Sequence, residues 1–180
     1  MTTTINNKET AVLGLLSERP MHGYEVEQAI RMRDMRYWTE ISMSSVYKVL
    51  KKLEDKALVT SEIRLASNNV TQKIYSLHPV GAEVLRKKIA SIFSEFDHHR
   101  WETDLAISNL AILPDDQKKE CLQAYIRKLE ELHAGYGELE KYLKAEDCPV
   151  YRLALAVRPQ YLYRAELEWA GDYLKTIINH

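Results

Sequence analysis

The stretch SMSSVYKVLKKLEDKALVTSEIRLASNNVTQKIYSL, residues 42–77, changes its periodicity in the middle, and that change decides the fold. In its first half Val46, Tyr47, Leu50, Leu53 and Ala57 recur at helical spacing, which leaves Ser45, Lys48, Lys51, Lys52 and Asp55 on the opposite side. Ser42 or Ser44 can cap the helix start, because a hydroxyl there accepts from an otherwise unpaired backbone N–H. From Leu58 the period drops to two. Val59, Ser61, Ile63 and Leu65 alternate with Thr60, Glu62 and Arg64, and a second β-prone run, VTQKIYSL, follows Ala66-Ser67-Asn68-Asn69. Asn tolerates the left-handed backbone of tight turns, so the two runs are expected to form a hairpin directly after a helix.

Upstream, Val12, Leu15 and Leu16 predict a helix over residues 8–17 that stops before Pro20. HGYEVEQAIRMRD, residues 22–34, predicts a second, with Tyr24, Val26, Ala29 and Ile30 as its stripe and Gly23 easing the turn into it. Downstream, Pro79 stands where a first helical residue would, ahead of Val84, Leu85, Ile89, Ile92, Phe93 and Phe96. Helix, helix, helix, hairpin, helix is the order of a winged helix-turn-helix, expected over residues 1–90. Residues 91–180 carry no strand-like alternation and predict helices near 103–112, 115–146 and 149–178, with Asp115 as a cap. Leu122, Tyr125, Leu129, Leu132, Tyr136, Leu139 and Leu143 form a heptad seam of the kind two helices share, interrupted in propensity by Gly135 and Gly137. Leu155, Leu162 and Trp169 recur seven apart in the last segment, flanked by Tyr173 and Ile177, and Pro159 is expected to kink it or to start a new helix. The fold class is therefore mainly α: a winged helix-turn-helix with a two-stranded wing, then a helical dimerisation domain over 91–180.

The chain has 180 residues, 46% of them apolar and 28% charged, with six Gly and five Pro, which argues against disorder and repeats and allows a core without disulfide or metal staples. No apolar run approaches the ~20 residues that span a bilayer, and MTTTINNKET lacks the features of a signal peptide, so a cytoplasmic protein without membrane partners is expected. The net charge of −1 hides an asymmetry: residues 1–90 hold 14 Lys and Arg against 10 Asp and Glu, residues 91–180 hold 11 against 16. A polyanion would meet the first half.

The third predicted helix suits a DNA groove. Ser42, Ser44 and Ser45 offer hydroxyls where backbone amides also favour phosphate, and Lys48, Lys51 and Lys52 add charge along the exposed side. Lysines decorate the solvated faces of many helices, so their weight comes from the hairpin that follows. There Arg64, Asn68, Asn69, Gln72 and Lys73 would act as a wing on the backbone or minor groove. Tyr24 could reach DNA from the start of the second helix or pack against the first.

LGLLSERPMHGYEVEQAI (13–30), SSVYKVLKKLEDKALV (44–59) and KIYSLHPVGAEVL (73–85) together resemble the signature stretches of PadR-type transcriptional regulators, a winged-helix family named after repressors that respond to phenolic acids. The resemblance rests on Leu13, Leu16, His22-Gly23-Tyr24, Tyr47, Leu50, Leu53-Glu54, Lys73, Tyr75, Leu77 and Gly81. It implies a homodimeric regulator, a repressor acting on double-stranded DNA at a pseudo-palindromic operator, with Tyr47 touching DNA and a small aromatic molecule as effector. The ending YRAELEWAGDYL is similar to the longer of the family's dimerisation domains, which assigns the seam above with Leu162, Trp169 and Tyr173 to pairing. Ala57 stands where the family usually has Gly, His78 where it has Thr, and Pro159 where a Gly is common.

Other chemistry is weakly marked. Asp97, His98, His99 and Glu102 lie close in sequence without a diagnostic third ligand spacing, so no metal is expected. Cys121 and Cys148 lack a CxxC partner and are expected as buried apolar residues. Gly135-Tyr136-Gly137 begins a GxGxxG, but no strand precedes it and Glu140 takes the third glycine's place. Neither an enzyme nor a cofactor is expected. Eleven Tyr and three Trp suit either dimer packing or a groove for flat ligands, with Trp101 and Trp169 as candidate sensors. The competing function is a winged-helix adaptor without DNA affinity whose long helices pair with a partner protein.

Overall fold

The computed structural model describes residues 4–39, 41–42, 45–65, 71–95 and 102–178. The chain divides into two compact units, Met1–His98 and His99–His180.

In the first unit α1 (Asn7–Leu16) opens on a reciprocal cap: Asn6 Oδ1 accepts from the Glu9 N–H and Glu9 Oε2 from the Asn6 N–H, both at 2.9 Å. Val12, Leu13, Leu15 and Leu16 are all buried, so the helix runs through the core rather than over it. After Pro20 comes a two-residue strand β1 (Met21–His22), not foreseen, then α2 (Gly23–Met32). The α2 cap is a histidine: His22 Nδ1 accepts from the Glu25 N–H at 3.2 Å, and the Glu25 carboxylate accepts from the His22 N–H. Val26 and Ile30 are buried while Tyr24 is exposed, so the expected α2 stripe loses its first member. A short α3 (Arg36–Thr39), also unforeseen, precedes α4 (Val46–Asp55).

The core face of α4 is Val46, Val49, Leu50 and Leu53. Tyr47 and Ala57, expected there, lie outside it: Tyr47 is 54% exposed, because one step of 100° past Val46 carries it off the buried face. At the C-terminal end Ala57 takes φ 53°, with its N–H donating to the Glu54 carbonyl and the Leu58 N–H to the Leu53 carbonyl, both at 2.9 Å. That is a Schellman stop made by alanine in a left-handed conformation that glycine would hold without strain. Leu53 and Leu58, both wholly buried, close it.

The hairpin forms as expected, β2 (Val59–Leu65) against β3 (Thr71–Leu77), with Ser61 opposite Tyr75 and Ile63 opposite Lys73. β1 pairs on the other edge of β3 through Met21–Tyr75 and His22–Ile74, so the sheet has three strands in the order β1-β3-β2 rather than two. α5 (Pro79–Ser94) starts at the predicted proline, capped by His78. A Cβ on Gly81 would stand 2.0 Å from the Leu58 carbonyl oxygen, so this glycine is needed for helix and chain to approach. Leu85 is buried, whereas Ile89, Ile92 and Phe93 are exposed in this unit. Phe96 lies outside the described residues.

The second unit has α6 (Glu102–Ser108), a 3₁₀ turn (Leu110–Ile112), α7 (Asp115–Ala145) and α8 (Val150–Ile178). Pro114, not Asp115, is the α7 cap, and no side chain bonds the cap; Asp115 takes the first helical position and pairs with Lys118 at 2.8 Å. α7 passes through Gly135 and Gly137, and α8 through Pro159, as single helices. The two run antiparallel: Tyr125 bonds Glu166, and Gln160 bonds Glu140. Among the described residues no helix is long and apolar enough to cross a membrane.

Candidate nucleic-acid interface

α2 and α4 form the helix-turn-helix pair, and their closest approach is built on Gly23. A Cβ there would lie 2.5 Å from Tyr47 Cε1, so the Tyr47 ring rests on the bare backbone at the start of α2. Tyr24, beside it, is 57% exposed. With Gln72, Lys73 and Tyr75 of β3 these residues line an open cleft of about 440 Å³ at the junction of both helices with the sheet. Both phenols are more than half exposed beside this cleft, as residues of a backbone-contacting surface would be.

The cations around this surface fall into two groups. Lys48 and Lys51 are exposed on α4 and enter no ion pair among the described residues, although Lys51 helps through space to hold the Glu54 carboxyl low. Lys52 and Lys56 both point to Glu9, at 3.3 and 2.7 Å, and Lys56 also donates to the Thr4 carbonyl. Glu9 is 1% exposed. Its burial pushes the carboxyl up, but the bonds from Lys56, the Asn6 N–H and Lys52 outweigh that and hold it below the usual carboxylate range. Lys73 is likewise engaged: its Nζ lies 2.7 Å from Glu54 Oε2 and 5.2 Å from the Tyr75 ring centre. The Lys73 and Ser61 bonds hold the Glu54 carboxyl low, and the Glu54 bond raises the Lys73 ammonium. Arg64 pairs with Glu62 along β2.

The serines do not cap α4 as expected. Ser45 is the N-cap without a side-chain cap bond; its hydroxyl donates to the Ser42 carbonyl at 2.6 Å and accepts from the Ser42 N–H at 3.0 Å, closing a turn before the helix. Ser42 is exposed, and Gln72 is half-buried. Ser44, Asn68 and Asn69 lie outside the described residues, as do Trp101, Asp97, His98 and His99. Sequence reasoning missed Glu9, Glu54 and the His22 cap. The pattern Asn6-x-x-Glu9 was a readable capping signal; the reach of Glu9 and Glu54 to lysines far along the chain was not.

In the helical unit, Leu122 and Leu129 are buried, with Ala156 and Ala170 of α8. These two seam residues are therefore already buried within the single chain. Tyr125, Leu132, Tyr136 and Leu143 are half-buried. Tyr125 donates to Glu166 at 2.9 Å, and burial above all raises its phenol. Tyr136 packs on Tyr163 with ring centres 5.8 Å apart. Leu139, Leu162 and Trp169 are 41, 43 and 37% exposed, and Trp169 stacks on the half-buried Tyr173 at 5.4 Å. Trp169 also borders a cleft of about 270 Å³ shared with Thr103, Asp104, Ile107 and Glu166. Cys121 is exposed rather than buried, and Cys148 is half-buried. Among the described residues no group of three His, Cys, Asp or Glu could hold a metal.

Residues 12–87 match the model of the transcriptional regulator PadR-like family. No curated protein sequence matches the chain. Among solved structures it is similar to Bacillus subtilis PadR in complex with operator DNA, at 17% identity and TM-score 0.78, over 94% of this chain and 98% of that one. The same regulator in complex with p-coumaric acid matches at 18% identity and TM-score 0.79, over 95% of each chain. The Vibrio cholerae virulence activator AphA matches at 19% identity and TM-score 0.69, over 96% and 98%. At these identities the likeness concerns the fold.

Proposed function

From the match of residues 12–87 to the PadR-like family of transcriptional regulators, we propose that the chain is a homodimeric DNA-binding repressor controlled by a small aromatic effector. In this reading residues 1–90 bind DNA, residues 91–180 dimerise, and the protein works in the cytoplasm. The observation that carries it is the outer face of α4: Lys48 and Lys51 project from a helix whose other nearby lysines are held by internal acids, next to the exposed Tyr24 and Tyr47. Two uncommitted lysines on each of two protomers would release about four counterions, so log Kd against log salt should have a slope of at least ~3.5. Fluorescence anisotropy with a random duplex tests this. Absence of binding at low salt would reject DNA recognition and favour the adaptor.

Pairing of two copies is supported by Leu139, Tyr142, Val150, Tyr151, Leu155, Tyr161 and Leu162, exposed along the α7–α8 hairpin. A stable monomer in light scattering at micromolar concentration would reject it. An aromatic effector is supported by the cleft beside Trp169 and by the p-coumaric acid complex of the B. subtilis relative. Its action would be to alter the spacing of the two α4 helices, which must lie about one DNA turn, ~34 Å, apart to read both half-sites. Phenolic acids should quench tryptophan fluorescence saturably and weaken operator binding in the same buffer. Quenching without a change in operator affinity would reject the switch.

A further inference from the structure

The wing lacks a core of its own along most of its length. Of β2 only Val59 is buried; Glu62, Ile63, Arg64 and Leu65 are all exposed, and β1 supports β3 only at Ile74 and Tyr75. A two-stranded ribbon of this kind is marginal alone, so its direction relative to α4 depends on what grips it where burial ends. The grip comes from one side chain. Glu54, next to last in α4, accepts from the Ser61 hydroxyl on β2 and from Lys73 Nζ on β3, thereby tying both strands to the recognition helix. Ser61 faces Tyr75 and Lys73 faces Ile63, the positions at which the ribbon leaves the core.

We propose that Glu54 is a positioning residue for DNA recognition: it braces the wing against α4 by holding Lys73, and it thereby withholds Lys73 from phosphate. Lys73, expected as a DNA contact, then serves as the anchor of the wing, and phosphate contact on this face falls to Lys48 and Lys51. The acid exchanges indiscriminate attraction for a fixed angle between the two reading elements, since a phosphate contact carries no sequence information whereas the wing's placement determines which groove it meets. This inference rests on the DNA-binding reading above, but one arm of its test does not.

The experiment uses the full chain and a random 24-base-pair duplex probe. Lys73→Met should leave the slope of log Kd against log salt unchanged, because Lys73 is not a phosphate donor in the intact protein. Glu54→Gln should steepen that slope by about 1.8, one phosphate's worth from each of the two protomers, and tighten random-duplex binding at low salt. Adding Lys73→Met to Glu54→Gln should return the slope to that of the parent. Independently of DNA, Glu54→Gln should accelerate hydrogen exchange of the paired amides of residues 61–65 and 71–73 and spare those of α1. A slope made shallower by Lys73→Met alone would show that Lys73 already reaches phosphate and would overturn the proposal. So would wing exchange, or a salt slope, that Glu54→Gln does not move. If the parent protein binds no duplex at low salt, the DNA reading fails, and the exchange measurement still decides whether Glu54 braces the wing.

Discussion

Replacing Glu9 by Gln changes one atom of a buried side chain and removes the charge shared by Lys52 of α4 and Lys56 at its C-cap. The carboxylate takes Lys56 at 2.7 Å, Lys52 at 3.3 Å and the Asn6 N–H at 2.9 Å. A hydrogen bond to a charged group contributes about 1.5–3 kcal/mol, and the Lys56 bond belongs in that range because only a quarter of its side chain is exposed. The Lys52 pair, more than half exposed on the lysine side, adds less than ~1 kcal/mol. The cap bond from Asn6 survives in Gln, whose carbonyl still accepts, but is lost in Ala, at about 1 kcal/mol more. Glu9→Gln should thus cost roughly 2–3 kcal/mol and Glu9→Ala roughly 3–4. The pH dependence has a definite sign. The folded carboxyl is held below its ordinary range, so the unfolded chain binds the proton first as pH falls, and the stabilisation is complete above the unfolded value, ~4.3, and lost through the lower folded one. Urea unfolding followed by circular dichroism should show the gap between parent and Glu9→Gln at pH 7 and its narrowing as the pH falls below the ordinary carboxylate value, ~4.3. A gap below ~0.5 kcal/mol at pH 7, or one that stays constant into acid, would refute the argument that Glu9 acts as a shared ion.

Three further outcomes follow from the same geometry. Lys51→Glu should weaken random-duplex binding and flatten its salt dependence with an unchanged melting temperature, because the side chain is exposed and unpaired; a collapsed melting temperature would mean that the face is misassigned. Gly81→Ala should destabilise the first unit by more than ~3 kcal/mol in urea, since its Cβ would meet backbone and not a movable side chain. Gly23→Ala, whose Cβ meets only the Tyr47 ring, should cost under ~1.5 kcal/mol yet weaken DNA binding several-fold by swinging that ring away, and equal affinity would take Tyr47 out of the interface.

The helix-to-hairpin change at Leu58, the proline start at Pro79 and the long helices after Asp115 were legible because each depends on neighbours in the chain: side-chain period, a fixed φ, a cap. The same local evidence could not show what the Tyr47 ring rests on, since it lies at the edge of the α4 apolar arc and its neighbour there, Gly23, belongs to another helix. β1 is two residues long and exists because β3 has a free edge, a property of the folded sheet alone. The division of the lysines was hidden for a related reason. Lys52 reaches Glu9 in α1, and Lys73 and Glu54 are 19 residues apart, so two of the cations that read as phosphate donors along α4 and the wing have partners no periodicity announces. In the helical unit the heptad spacing puts Leu122 and Leu129 on one side of α7, but a spacing does not name a partner, and both are already buried within the single chain.

The bond from Lys56 to the Thr4 carbonyl has a practical side for anyone handling the protein. Ile5 is core, so whatever is fused ahead of Thr4 must emerge next to the recognition helix and not at a remote end. A histidine tag in that position would bring a titratable cluster to the C-terminal end of α4, beside the two lysines that share Glu9. Turned to use, the same proximity offers a vantage point: a dye placed at residue 4 would report arrival of a labelled duplex by energy transfer without altering any lysine on α4.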